Sequence, residues 1–305
     1  MNRMNMPSRI NRTASNGTAV AMIVALVVVF IWGETFISTK VLITNGLMPA
    51  DIFVYRFTLA YICLWAFAPK KLWCESVKDE LVMVLLGIFG GSLYFLSENT
   101  ALKFSTASNV SILVCSAPLL TALLISLFYK NERMNVRQIV GSLVAFAGMA
   151  LVVLNGSHVL NLNPLGDLLA LGAALTWGFY SLFMKSVSDK YGVRFITRKV
   201  FGYGLLTMLP YFIFVSPLNM DPSILLKPVV WENLVYLGLV ASLLCFLTWN
   251  WCLPRLGTVR TTNLIYSQPF FTMLIAYLVL GERITWMAII GTVILIGGMM
   301  MAVKC

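Results

Sequence analysis

Charge is scarce in this chain of 305 residues: 11% of positions are Asp, Glu, Lys or Arg, and only 12 are acidic. An ordinary soluble domain carries about 25% charged residues. With 59% of its residues apolar, the chain cannot build a water-facing exterior, so its solvent is lipid. Histidine is almost absent, with His158 alone in an outer connection. The six cysteines, Cys63, Cys74, Cys115, Cys245, Cys252 and Cys305, have neither metal-ligand nor redox spacing. A metal centre and a dithiol couple are therefore unsupported, and no cofactor is expected. No G-x-x-x-x-G-K-[ST] loop occurs, which leaves ATP hydrolysis by this chain unsupported, and no A-x-A cleavage site follows the first apolar run. The excess of +10 charge would suggest nucleic acid in a soluble protein. Here it reports membrane topology instead, and no nucleic-acid partner is expected.

What the chain does contain is long apolar runs. About 20 such residues cross the hydrocarbon core as a helix, and runs of that size lie near 18–39, 50–68, 80–100, 105–129, 135–154, 165–185, 198–216, 232–253, 258–280 and 285–303. Residues 1–17 form a polar tail. Placing that tail inside puts 17 of the 22 Lys and Arg residues in inner connections, four (Lys40, Lys103, Lys227, Arg283) in outer ones, and Arg56 within a span. This bias orients both termini to the cytoplasm of a multi-pass cell-membrane protein.

Self-comparison divides the chain into two related halves, 18–154 and 165–303. Glu132-Arg133 and Glu282-Arg283 each open a span with glycines at the same spacing, Gly141/Gly148 and Gly291/Gly298. Asn99 to Leu102 answers to Asn250 to Leu253, Pro118 to Pro269, and Trp32-Gly33 to Trp177-Gly178. Five spans per half is an odd number, so the halves enter the membrane with opposite polarity. The expected fold is an all-α integral membrane bundle of ten helices in two inverted five-helix repeats. A solute site near the midplane and alternating access usually accompany that layout.

At these residues the chain resembles the EamA family of the drug/metabolite transporter superfamily. The resemblance rests on Trp32-Gly33 with Lys40, Arg56-Phe57, Ala101 to Ser108, Ala117 to Leu123, and Glu132-Arg133. In the second half it rests on Leu256-Gly257-Thr258, Gln268-Pro269-Phe270 and Leu280 to Arg283. It implies a 5+5 bundle around a central cavity that moves small organic metabolites such as amino acids, often outward. The first half departs at Phe128 to Asn131, where it is one residue longer than the second.

Charged side chains inside spans are costly and are functional candidates by default. Glu34, Arg56 and Glu98 are expected at similar depth on the first three spans. Three readings are open: an ion pair between Arg56 and one glutamate, a glutamate that binds a coupling proton or a cationic substrate group, and snorkelling near the span ends. Trp32, Trp177, Tyr180 and Tyr266 are candidates for the cavity wall. Asn99, Asn109, Asn250, Asn263 and Gln268 either line it or act as interhelical glue. Spans four and nine are the most polar, and Pro118 and Pro269 near their middles mark expected hinges. A channel would need a repeated carbonyl filter or a charge ring, and a membrane enzyme a catalytic constellation; neither is visible. The bilayer and a small-molecule substrate are the expected partners, and oligomeric state is left open.

Overall fold

The computed structural model describes residues 8–66, 71–105, 107–129, 135–154, 163–271 and 285–303, without the side chains of 8–17, 107–109, 112, 152–154, 288 and 303. Thr106, Glu132-Arg133, His158, Leu280 to Arg283, Cys305 and the side chain of Asn109 thus lie outside what is described. The described residues form helices joined by turns, with no strand among them. Four helical stretches are long and apolar enough to cross a membrane: Thr18–Thr44, Val77–Phe104, Pro164–Val187 and Pro228–Leu256. At about 1.5 Å per residue, even 24 residues reach roughly 36 Å, more than the hydrocarbon core. Large apolar side chains stand exposed along them and their neighbours, among them Ile23 at 62%, Leu127 at 69% and Val293 at 67%. Water would not tolerate such a belt; lipid requires it.

Helix α1 (Ser8–Thr44) is followed by α2 (Pro49–Trp65), whose proline occupies a first-turn position where no amide donor is needed. The buried carboxylate of Asp51 accepts from the amides of Met48 at 2.9 Å and Asn219 at 3.2 Å, tying the start of α2 to a distant loop. Helices α3 (Val77–Gly87) and α4 (Leu93–Phe104) form one rod interrupted by a π-helical stretch, Ile88–Ser92. Lys40 caps the end of α4 by donating to the carbonyls of Leu102 (2.5 Å) and Ser105 (3.2 Å), where a cation opposes the negative helix end.

The predicted span at 105–129 is two helices, α5 (Ala107–Val114) and α6 (Ala117–Phe128), broken at Cys115-Ser116 just before Pro118. Next come α7 (Val136–Leu154), α8 (Pro164–Val187) and α9 (Val193–Phe214). The predicted span at 198–216 omitted the first turn of α9, because Arg194, Arg198 and Lys199 read as loop cations; they sit on the helix instead. After the single turn α10 (Pro222–Leu225), α11 (Pro228–Val235) and α12 (Cys245–Leu256) form a second rod with a π-helical middle, Tyr236–Leu244. When Glu98 is aligned with Trp249, the first π-helical stretch falls within the longer second one. Gly257, at φ +85°, turns the chain into α13 (Thr258–Asn263), which tightens to a 3₁₀ turn at Leu264–Ser267 just before Pro269. The last helix, α14 (Trp286–Val303), packs along α7.

Glycines set the closest helix approaches. A Cβ on Gly87 would stand 2.5 Å from Cβ of Tyr203, and one on Gly90 2.2 Å from the Tyr180 ring. Gly90→Ala should therefore displace Tyr180 and lower the melting temperature, by an amount equivalent to about 2 kcal/mol of overpacking. Thermal unfolding followed by size-exclusion chromatography checks it, with Gly172→Ala as control, since nothing lies within 4 Å of a Cβ there.

Candidate functional site

Spacing on α4 brings the site's chemistry together. Tyr94, Phe95 and Glu98 recur at three- and four-residue intervals and so share one helix face. That face meets Arg56 of α2, Trp32 and Thr35 of α1, and Trp177 of α8 around an internal chamber. Phe246 of α12 and the two interrupted segments, through Val114, Ala117, Ile265 and Gln268, complete the wall. The chamber holds about 450 Å³ of space between atoms, of which about 30 Å³ is wide enough for the centre of a water-sized sphere. It is narrow: a solute larger than water needs the surrounding helices to part.

Arg56 is 2% exposed and Glu98 7%. The two form no direct ion pair. Instead, Arg56 donates from Nε to Ser242 Oγ at 2.8 Å and stacks over the Phe95 ring at 4.5 Å. Glu98 Oε1 accepts from the Tyr94 hydroxyl at 3.0 Å. Glu34 stands apart from the lining and accepts from the Tyr236 hydroxyl at 2.7 Å. Each of the three charges thus leans on a neutral donor or acceptor rather than on an opposite charge. The chamber keeps one positive and one negative group available in an aromatic surround.

That surround is continuous. Trp32 packs against Trp177 at 5.4 Å and Trp249 at 4.9 Å, and Trp177 against Tyr94 and Tyr180 at 5.3 and 5.1 Å. The π-helical middle of the second rod leaves its Ala241 carbonyl free to accept the Trp32 indole at 3.0 Å. The same stretch supplies Ser242 to Arg56 and Tyr236 to Glu34. Such bulges widen a helix locally and release backbone acceptors, which is why they recur at functional positions. The breaks before Pro118 and Pro269 touch each other, Cys115 Sγ lying 3.7 Å from the Ile265 carbonyl.

Of the residues singled out in the sequence, Trp32, Arg56, Glu98, Trp177 and Gln268 line the chamber. Tyr180 and Asn250 form a layer behind it: the Tyr180 hydroxyl donates to Asn250 Oδ1 at 2.7 Å, and Asn250 donates to Thr197 at 3.1 Å. Asn99 donates to the Pro49 carbonyl at 3.0 Å and acts as glue between α4 and α2. Asn263 and Tyr266 are fully buried outside the lining, and both amide atoms of Asn263 lack a protein partner. Tyr94, Phe95, Thr35 and Phe246 were missed. The first three lie three or four residues from Glu98 or Trp32, so their face was legible; nothing in the sequence distinguishes Phe246 from core.

A second polar cluster closes the end of the bundle near α3 and α9. Glu80 accepts from Lys199 and from the Tyr203 hydroxyl, and from the Cys74 amide at 2.8 Å. Asp79 accepts from Tyr191 at 2.8 Å and Lys190 at 3.2 Å. Removing one partner of a largely buried pair strands the other charge. Lys199→Met is expected to cost about 3 kcal/mol, read as a lower melting temperature that Lys199→Arg largely restores. Burial and the Glu80 carboxylate push the Cys74 thiol up to about 11. The thiolate is the reactive form, so at neutral pH a variant retaining only Cys74 should react with maleimide about 100-fold more slowly than an ordinary thiol. Labelling should accelerate as pH rises toward that value.

A helical multi-pass membrane protein with a narrow, charge-bearing aromatic chamber has the architecture of a membrane transporter. The model of the EamA-like transporter family matches twice, over residues 19–154 and 164–304. The chain belongs to the EamA-like transporter family. It is 27% identical to an uncharacterized transporter of Archaeoglobus fulgidus, across 88% of this chain and 92% of that one. It is likewise 27% identical to a probable amino-acid metabolite efflux pump of Escherichia coli (91% and 92% covered) and to a probable terminal-alkyne amino-acid exporter of Streptantibioticus cattleyicolor (88% and 89% covered). A solved crystal structure superposes with a TM-score of 0.72 at 19% identity, covering 93% of this chain and 97% of the other, which establishes a shared fold. The family and these relatives are named as transporters.

Proposed function

We propose that this protein is a secondary exporter of small zwitterionic metabolites, amino acids or close relatives, working by alternating access across the cell membrane. The observation that carries the reading is the chamber itself. Arg56 can take a carboxylate, Glu98 an ammonium group, and the Trp32, Trp177 and Phe246 rings an apolar side chain. Outward direction is supported by the relatives named as exporters and efflux pumps. In this reading ten spans form two inverted halves, 18–154 and 165–303, with both termini cytoplasmic. The breaks before Pro118 and Pro269 act as paired hinges that let the narrow chamber open to either side. Glu98 exchanges a coupling proton for the substrate's ammonium group. Vesicles holding the purified protein and loaded with an unlabelled amino-acid mixture should take up labelled members by saturable counterflow. Unsaturable ion current without counterflow would make the protein a channel and overturn the proposal.

A further inference from the structure

Outside the chamber, a wide groove lies where α1, α9 and α12 meet the 71–76 linker and the 188–192 turn. Water-sized spheres fit there over about 880 Å³, against about 30 Å³ in the chamber. Its rim carries Lys71, Lys190 and Arg194, and its walls are Val24, Leu247 and Trp251. We infer that this groove binds the headgroup and the first part of one acyl chain of an anionic phospholipid from the surrounding leaflet.

The charge balance points to an anion. Glu75 is the one carboxylate in the lining; it pairs with Lys71 at 3.0 Å, and its side chain is 72% exposed. Lys190 donates to Asp79 behind the groove at 3.2 Å and keeps a side chain 59% exposed. Arg194 adds a third cation, and Arg255 stacks on the Trp251 ring at 4.1 Å. With Asp79 counted beside Glu75, three cations face two carboxylates around the groove, an excess of one. A free anion would explain the rim and leave the walls unexplained.

The walls point to lipid. Val20, Ile23 and Val27 on α1 are 52%, 62% and 52% exposed, and Leu244 on α12 is 54% exposed. The groove therefore runs into the apolar belt and is open among the described residues. Its depth matches as well. Val24 lies six residues inside the apolar stretch that starts at Thr18, about 9 Å along the helix, whereas Lys71 and Lys190 sit in connections at the helix ends. Cations at headgroup level above an apolar cleft, with a tryptophan between them, are the features by which basic pockets between helices retain anionic lipid. Gly192 keeps the mouth open: a Cβ there meets nothing within 4 Å, and its φ of −66° suits any residue.

The test is native mass spectrometry of the full-length protein released from mixed vesicles of phosphatidylglycerol and phosphatidylcholine, alone and with millimolar inorganic phosphate. Each basic residue near a headgroup contributes about fivefold in affinity. One phosphatidylglycerol should be retained in preference to phosphatidylcholine. Lys71→Gln with Arg194→Gln should reduce that preference about 25-fold, and Gly192→Leu should remove the retained lipid without lowering the melting temperature. Equal retention of both lipids overturns the inference. So does a preference unchanged in both variants, and so does displacement of the lipid by phosphate, which would make this a site for free anions. None of these outcomes bears on counterflow, so the transport proposal stands or falls separately.

Discussion

Glu98→Gln is expected to reduce amino-acid counterflow about 100-fold and to leave the residual rate independent of pH. The carboxylate is buried, accepts a hydrogen bond from Tyr94, and faces a chamber whose other charge is Arg56. Removing one member of a desolvated charge contact costs about 2–5 kcal/mol, and 2.7 kcal/mol is a factor of about 100. Tyr94→Phe keeps the charge and loses one hydrogen bond, so it should cost only about fivefold. Glu34→Gln should cost less than Glu98→Gln, because Glu34 stands outside the lining with Tyr236 as its partner. The measurement is initial-rate counterflow in vesicles across a pH series. A Glu98→Gln protein with the full rate and an unchanged pH profile would make this carboxylate structural.

The second large effect concerns folding. A Cβ on Gly148 would stand 2.3 Å from the Leu295 amide nitrogen, and one on Gly298 2.2 Å from that of Ala145. Both clashes are with backbone, which no rotamer change relieves, so α7 and α14 would have to separate along their length. In lipid this contact has little hydrophobic drive and depends on close packing. Gly148→Val and Gly298→Val should each cost at least about 3 kcal/mol, read as a large loss of monodisperse protein and of melting temperature. Gly297→Val is the matched control, since nothing lies within 4 Å of a Cβ there. Wild-type behaviour of both variants would mean the helices are not in contact as described.

How legible each feature was depended on the range of the interaction behind it. The Gly141/Gly148 and Gly291/Gly298 spacing marked corresponding spans of the two halves, and the structure packs those glycine faces against each other. The prolines at 118 and 269 were read as hinges; the α-helix gives way to a turn at Cys115-Ser116 before the first and tightens to a 3₁₀ turn at Leu264–Ser267 before the second. The polar cluster around Glu80 was not visible. Lys199 and Tyr203 sit more than a hundred residues away, and the cations of α9 read as ordinary loop charges. The two π-helical stretches were invisible too, since a widened turn is chosen by what packs against it. Of the three readings left open for the buried charges, an Arg56–glutamate pair is not what the structure shows: Arg56 donates to Ser242 and Glu98 accepts from Tyr94.

By itself the sequence determined that the chain lives in lipid, that its apolar stretches are helices, and that Arg56 and Glu98 are charges held within them. These follow from composition and from period, which are local and additive. Only the tertiary structure decided which buried charges share a chamber, that neutral groups hold them instead of each other, and how narrow that chamber is. Those depend on side chains meeting across helices far apart in the chain, where a shift of one turn, about 5.4 Å, replaces every neighbour.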